Sequence, residues 1–181
     1  MTKAICVFCA SSNRVNPDYL RAAETFGRLL AEAGADLVYG GGKVGLMGAA
    51  ALGAHGAGGR VIGIIPKNLM TREVAYTDAD ELVVTEDLFK RKEEMIRRAD
   101  AFAVLPGGFG TLDEMLEVIT LRQLGLHRKP IAFLNIDGFF DRLFDYFAFL
   151  VEQAVAPSHY RDYYRVFDEP QAMVTALLGE N

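Results

Sequence analysis

One glycine-rich run continues directly into a carboxylate and carries the strongest chemical signal. It reads Leu105-Pro-Gly-Gly-Phe-Gly-Thr-Leu-Asp-Glu-Met115 and follows an apolar stretch typical of a strand. Its glycines would free the backbone to curl around an anion, and a helix that begins here would point unpaired N–H groups at the same place. The lysine of a Walker A loop is absent. The run therefore predicts another kind of phosphate-binding turn, with Glu114 as the candidate acid.

The sequence leaves two interpretations of Glu114 open. Thr111-x-x-Glu114 matches a capping box, in which Thr111 caps the helix and the glutamate closes back on it. Alternatively, Thr111 binds a phosphate oxygen and Glu114 acts on a substrate. Asp113 and Glu117 could both be acids that complement a helix dipole on an exposed face, and for Glu117 we favour that interpretation.

A second glycine run, Tyr39-Gly-Gly-Gly-Lys-Val-Gly-Leu-Met-Gly48, satisfies G-x-G-x-x-G and leads into an alanine-rich helical pattern. It favours close backbone approach to a phosphate or sugar, and tight helix-on-sheet packing is the alternative. A dinucleotide site would also need an acid after the next strand, which instead runs into Pro66 and Lys67. An NAD-dependent oxidoreductase is therefore disfavoured.

Basic side chains are concentrated in the segment from Asp87 to Arg98. Helical spacing predicts one apolar arc from Leu88, Phe89, Met95, Ile96 and Ala99, with Lys92 in its middle, Arg91 and Arg98 at its rim and Arg97 toward solvent. Lys92 is either a ligand contact or a satisfied edge residue. With the two turns, these residues predict a pocket for a phosphorylated sugar or nucleotide that requires no metal. Its possible additional members are Ser11, Ser12, Gly41, Gly42, Met95 and Arg98.

Apolar runs alternate with helical patterns along the chain. They predict strands at 3–9, 36–39, 60–65, 81–85, 101–105 and 130–135, and a first helix capped by Asn16, started by Pro17 and ended at Gly34. This is typical of an α/β, Rossmann-like, doubly wound parallel sheet with helices on both faces. We expect a single domain over residues 1–181, with its ligand beyond the carboxyl ends of the strands.

Composition excludes several classes of protein. The 181 residues carry 19 basic and 24 acidic side chains, a net charge of −5, which disfavours nucleic acid as a partner. No apolar run reaches the roughly 18 residues of a membrane span, so we expect a cytoplasmic protein. Cys6 and Cys9 form a C-x-x-C pair, but their odd spacing on a strand predicts opposite faces and a buried structural role.

Aromatic residues cluster late in the chain. Residues 133–149 hold six of the twelve phenylalanines, and Phe139, Phe140, Leu143, Phe144, Phe147 and Leu150 coat much of a predicted helix. We expect part of this surface, or of the helix after Gly110, to be buried in a homodimer; a wide contact within one chain is the alternative.

With these residues in view, the sequence resembles the Lonely Guy (LOG) family of cytokinin riboside 5'-monophosphate phosphoribohydrolases, formerly labelled lysine decarboxylases. The resemblance spans nearly the whole chain. It rests on Phe8-Cys-Ala-Ser-Ser12, on the run from Gly40 to Gly48, on Arg91-Lys92 with Met95, and on the signature P-G-G-x-G-T-x-x-E at 106–114. Two departures affect the expected base specificity: Ala10 replaces a glycine, and Leu88-Phe89 replace a Met-His pair.

The resemblance implies a Rossmann-like homodimer without a cofactor. Such a protein hydrolyses the N-glycosidic bond of an N6-modified AMP to the free base and ribose 5-phosphate. Arg91 and Glu114 are then the catalytic pair. The implied substrate-binding residues are Glu73, Arg91, Lys92, Gly107, Gly108, Phe109, Gly110, Thr111, Leu112, Asp113 and Thr120. The alternatives are an enzyme with plain AMP as its main substrate and a non-catalytic carrier of a nucleotide or molybdenum cofactor.

Overall fold

A computed structural model describes residues 2–70 and 75–179 and contains one seven-stranded sheet. All of its strand pairs are parallel. The strands are β1 (Ala4–Phe8), β2 (Asp36–Tyr39), β3 (Val61–Pro66), β4 (Glu81–Thr85), β5 (Ala101–Val104), β6 (Ile131–Leu134) and β7 (Arg165–Phe167). Their spatial order is β4-β3-β2-β1-β5-β6-β7. The predicted parallel sheet is confirmed.

Six α-helices connect and cover the strands. They are α1 (Pro17–Glu32), α2 (Gly45–Gly56), α3 (Leu88–Arg98), α4 (Phe109–Gln123), α5 (Asp141–Glu152) and α6 (Pro170–Gly179). One core cluster joins a face of the sheet to α1, α2 and α6, and a second joins the other face to α3, α4 and α5. The doubly wound α/β architecture is therefore confirmed. Across the two described ranges, none of the helices is long and apolar enough to cross a membrane.

The first crossover forms as its local sequence predicts. Asn16 caps α1 by accepting a hydrogen bond from the Asp18 amide at 2.9 Å, and Pro17 is the first helical residue. Gly34 follows the helix with φ of 73°, a left-handed conformation that glycine adopts without strain. Cys6 and Cys9 are buried free thiols that belong to opposite core clusters, which confirms that they lie on opposite faces of the sheet.

The strand order reverses at β1, which lies between β2 and β5. Chains leaving the carboxyl ends of the neighbouring strands β1 and β5 therefore turn into helices on opposite faces, α1 and α4. A crevice opens where such loops diverge, and open parallel sheets bind their ligands there.

The aromatic cluster is mostly internal. Phe140 and Phe147 are buried, and Phe133 contacts the rings of Phe140, Phe144 and Tyr164 at centroid distances of 5.1–5.3 Å. The sheet and the segment after α5 therefore cover much of this surface within one chain. Phe139 and Phe149 stay partly exposed.

Candidate active site

A cleft of about 290 Å³ lies at the carboxyl edge of the sheet, above the divergence of β1 and β5. It collects the loop after β1, the start of α4 and two side chains from other elements, Met47 of α2 and Arg91 of α3. Its lining residues are Cys9, Ala10, Ser11, Ser12, Met47, Arg91, Gly108, Phe109, Gly110, Thr111 and Glu114. Most of the signature run at 106–114 thus faces the cleft.

The N-terminus of α4 opens into this cleft. The helix begins at Phe109, and its N-cap, Gly108, provides no side-chain cap. The first amides of a helix have no acceptor within the helix, so those at 109–111 are available to an anion in the cleft. A Cβ on Gly107 would lie 2.0 Å from Thr111 Oγ1, so the turn has room for Thr111 only because residue 107 is glycine.

The capping-box interpretation of Glu114 is wrong. Thr111 is the third residue of α4 rather than its N-cap, because the extended backbone of Gly108 ends the preceding turn and starts the helix earlier. Thr111 and Glu114 are both buried, and both line the cleft. Both residues therefore belong to the wall of the cleft.

Arg91 and Glu114 form a buried pair, with 5% and 6% of their surfaces exposed. Arg91 Nη1 lies 3.7 Å from Glu114 Oε1. Arg91 Nε donates to the carbonyl of Ile64 at 3.1 Å, and Nη2 donates to the carbonyl of Gly40 at 2.9 Å. Hydrogen bonds and a carboxylate offset the cost of burying the guanidinium.

The predicted orientation of α3 is confirmed for Met95, Ile96 and Ala99, which pack in the core, but it is wrong for the first turn of the helix. Arg91 and Met95 face the core, whereas Leu88 is exposed and Phe89 has 78% of its surface exposed. Helical spacing predicted that Arg91 would lie at the rim of the apolar arc. Arg91 is instead held in the core by the backbone carbonyls of Ile64, in β3, and of Gly40, directly after β2. Phe89 and Leu88, which depart from the family pattern, therefore lie on the surface.

Lys92 lies between α3 and α4 rather than inside an apolar arc. Its Nζ is 2.7 Å from Glu117 Oε2 and 3.0 Å from Asp113 Oδ2, and the side chain is 14% exposed. Burial lowers the pKa of Lys92, but hydrogen bonds from the ammonium to Glu117 and Asp113 outweigh it and raise that pKa above its ordinary value. Glu117 is thus ion-paired, not a simple dipole-complementing acid.

The second glycine run has its helix N-terminus covered. The Gly45 amide donates to Asn13 Oδ1 at 2.7 Å, and the Met47 amide donates to the Ala10 carbonyl at 3.3 Å. These are two of the first three amides of α2, and residues of the β1–α1 loop occupy both. Sequence reasoning missed Asn13; its only signal was an amide side chain in the Ser-Ser-Asn loop beyond β1.

Comparisons with known proteins identify the family. A family model described as "possible lysine decarboxylase" matches residues 47–177. A cytokinin riboside 5'-monophosphate phosphoribohydrolase of Arabidopsis thaliana is 52% identical over 78% of this chain and 65% of its own length. An enzyme with the same name from rice, Oryza sativa subsp. japonica, is 51% identical over 77% of this chain and 57% of its own length. Another enzyme with this name from Arabidopsis thaliana is 47% identical over 83% of this chain and 70% of its own length.

This chain belongs to the LOG family. The match spans less than two thirds of the first two relatives' own length. Among solved structures, the molybdenum cofactor binding protein of Rippkaea orientalis superposes with a TM-score of 0.76 at 23% identity, over 99% of this chain and 97% of that one. The molybdenum cofactor carrier protein of Chlamydomonas reinhardtii gives 0.75 at 21% identity, over 99% and 100%. At these identities the likeness shows the shared fold alone.

Several residues that the LOG resemblance implies for substrate binding do not line the cleft. Thr120 is exposed two turns beyond Glu114, where it lines a separate apolar cleft of about 140 Å³ and donates to the Leu116 carbonyl. Asp113 pairs with Lys92, and Leu112 packs against the core. Glu73 lies outside the described residues.

Of the six possible additional members of the pocket, two line the cleft and four do not. Ser11 and Ser12 line the cleft. Gly41 and Gly42 lie in the turn after β2, outside the lining, where Gly42 forms an isolated bridge with Ala75. Met95 is buried in the core, and Arg98 pairs with Glu81 and Glu94.

The electrostatics of the cleft are set by its buried groups. Burial, and then the charge of Glu114, raise the pKa of the Cys9 thiol well above its ordinary value, so Cys9 lines the cleft as a neutral thiol. Among residues 2–70 and 75–179, no group of three or more His, Cys, Asp or Glu side chains is arranged to hold a metal ion. The charged side chains that line the cleft are those of Glu114 and Arg91.

Proposed function

We propose that this LOG-family chain hydrolyses the N-glycosidic bond of an N6-modified adenosine 5'-monophosphate. The products are the free base and ribose 5-phosphate. The observation that carries the proposal is the buried Glu114 beside Arg91, in a cleft into which the open N-terminus of α4 points. The names of relatives about 50% identical support the same reaction.

The start of α4 is the phosphate site in this proposal. Its first amides and the Thr111 hydroxyl meet the 5'-phosphate, and the positive end of the helix dipole favours that dianion. Ser11 and Ser12 lie on the facing wall of the cleft and can contact the same oxygens. Binding energy from this remote group orients the anomeric carbon toward Glu114.

Glu114 acts at the ribose. The glycosidic C–N bond breaks as a water oxygen bonds to the anomeric carbon, through an oxocarbenium-like transition state. A buried carboxylate stabilises that positive charge and directs the water. Arg91 orients the nucleotide, but its guanidinium stays protonated and cannot act as a general acid. The departing base therefore takes its proton from another group or from solvent.

A product assay tests the proposal. The purified chain is incubated separately with AMP and with isopentenyl-AMP, and the released base and ribose 5-phosphate are quantified. We expect equimolar products, with the higher kcat/KM for the prenylated nucleotide. Comparable values would make plain AMP a main substrate. A nucleotide carrier would release no base, and neither would a carrier of the molybdenum cofactor, the ligand named for the structural neighbours.

We also propose that the chain forms a homodimer through the outer side of α3 and α4. Phe109 is 93% exposed, and Phe89, Leu116, Leu124 and Leu126 are exposed as well. These side chains are exposed, whereas the chain itself covers much of the aromatic cluster around α5. A monomeric mass in light scattering at micromolar concentration would contradict the proposal.

A cytoplasmic location stays a prediction.

A further inference from the structure

Gly40 is the first residue after β2, and its backbone touches the Arg91 guanidinium. Its carbonyl accepts the hydrogen bond from Nη2 at 2.9 Å. A Cβ built on Gly40 would lie 1.9 Å from Nη2 and 2.9 Å from Cζ of Arg91. Such approaches do not occur between real atoms. Alanine at this position therefore cannot coexist with Arg91 in its observed place.

The requirement for glycine here concerns space and not backbone conformation. Gly40 has no left-handed φ, unlike Gly41 and Gly45 in the same turn. The other close neighbour of the built Cβ is Met47 Cε at 3.0 Å, the end of a flexible side chain that can move. Arg91 is thus the group that excludes a side chain at residue 40.

We propose that Gly40 is a positioning residue that acts through Arg91. The Arg91 guanidinium is a planar, rigid group. Its Nη2 donates a hydrogen bond to the Gly40 carbonyl, and its Nε donates one to the Ile64 carbonyl. Fixing two of its three nitrogens sets the direction of the third, Nη1, which faces Glu114. The first glycine of the 40–48 run therefore serves the catalytic pair instead of contacting the ligand. The kinetic consequence rests on the proposed function.

A double-mutant cycle in the full chain tests this role. The variants are Gly40→Ala, Arg91→Ala and the double variant, each assayed with isopentenyl-AMP and by thermal unfolding. We expect Gly40→Ala alone to lower kcat by about 10²-fold with a smaller change in KM, since displacing an orienting group by about 1 Å has such effects. It should also lower Tm by about 5 °C through overpacking.

Gly40→Ala should have little effect on kcat and Tm when Arg91 has already been replaced by alanine. In the Arg91→Ala background we expect it to change kcat by less than about twofold and Tm by less than about 1 °C, because contacting residues are not additive. Gly56→Ala is the matched control, since its Cβ meets no atom within 4 Å and its φ is ordinary. Equal losses from Gly40→Ala in both backgrounds would overturn the proposal.

Folding failure also gives an answer. If Gly40→Ala does not fold but the double variant does, Arg91 is the source of the clash and the proposal is supported. If neither folds while Arg91→Ala does, another contact of Gly40 dominates and the proposal fails. If the native chain releases no base, the proposed function fails, while the unfolding cycle still decides the role of Gly40.

Discussion

Two glycine-rich turns flank β1 at the carboxyl edge of the sheet, and they differ in what meets the helix that follows. The β2–α2 turn has its first helical amides occupied by Asn13 and by the Ala10 carbonyl. The β5–α4 turn has no side-chain cap, and its helix start faces a cleft. The first turn supports the β1–α1 loop and Arg91, whereas the second is available to an anion.

The difference shows that glycine density alone does not identify a phosphate site. A helix N-terminus attracts an anion only when its amides have no partner within the protein. Here the loop after β1 supplies those partners to α2, and the same loop forms the facing wall of the open cleft. One segment therefore closes one turn and completes the site at the other.

The largest predicted effect concerns the pair beside the open turn. Glu114→Gln and Arg91→Ala should each lower kcat with isopentenyl-AMP by about 10²- to 10⁴-fold, the range for removing a group that acts in the transition state. Circular dichroism must show that each variant stays folded. Glu152→Gln, a carboxylate at the far end of α5, is the control. Near-native turnover in either variant would remove that residue from the catalytic pair.

The next effect concerns the open turn itself. Gly107→Ala places a Cβ 2.0 Å from Thr111 Oγ1, so it should displace Thr111 and distort the anion site. We expect KM for the nucleotide to rise by about 10-fold or more, as expected for the loss of one charge-assisted hydrogen bond of roughly 1.5 kcal/mol or more. Inhibition by ribose 5-phosphate, measured in parallel, should weaken by the same factor. Unchanged inhibition would place the phosphate elsewhere.

Local sequence patterns predicted the sheet but not the partners of buried charges. The six longer strands follow from apolar runs between turn residues, whereas β7 has three residues, two of them exposed, and gives no such signal. Arg91 was expected at a rim because periodicity along α3 contains no information about the carbonyls of Gly40 and Ile64. The ion pairs of Lys92 likewise depend on how α3 meets α4. Such contacts join residues that are distant in the sequence, so they can be identified only once the fold is known.

A smaller effect is expected at the closed turn. Asn13→Ala removes the acceptor for the Gly45 amide and should cost about 0.5–2 kcal/mol of unfolding free energy, as for other helix caps. Asn16→Ala removes the cap of α1 and provides a matched loss of stability away from Gly45. Urea unfolding measures both. Neither variant should change KM by more than about twofold, the scale of a surface change below 0.5 kcal/mol. A tenfold rise confined to Asn13→Ala would mean that the Asn13–Gly45 contact matters for substrate binding, through the β2–α2 turn or through Ser11 and Ser12 of the same loop.

The smallest effect lies on α3, away from both turns, and depends on pH. Hydrogen bonds from Arg97 and Arg98 lower the pKa of Glu94 from 4.5 to about 2. A carboxyl whose pKa is lower in the folded state stabilises the protein above its unfolded pKa, and that contribution is lost as pH falls from about 4.5 toward 2. Glu94→Gln should therefore lower the unfolding free energy by about 0.5 kcal/mol at pH 7, with the deficit shrinking in acid.

Urea unfolding at pH 7, 4 and 3 measures that deficit for the Glu94→Gln variant. Glu93→Gln is its control, because the Glu93–Lys90 pair is exposed and should contribute less. A Glu94→Gln deficit that is equal at pH 7 and pH 3 would mean that the ion pairs of Glu94 with Arg97 and Arg98 do not control it. The substitution should leave kcat near its native value, because Glu94 is outside the cleft lining. Acid stability and turnover would then depend on different residues of α3, since Arg91 lies one turn before Glu94 and faces the cleft.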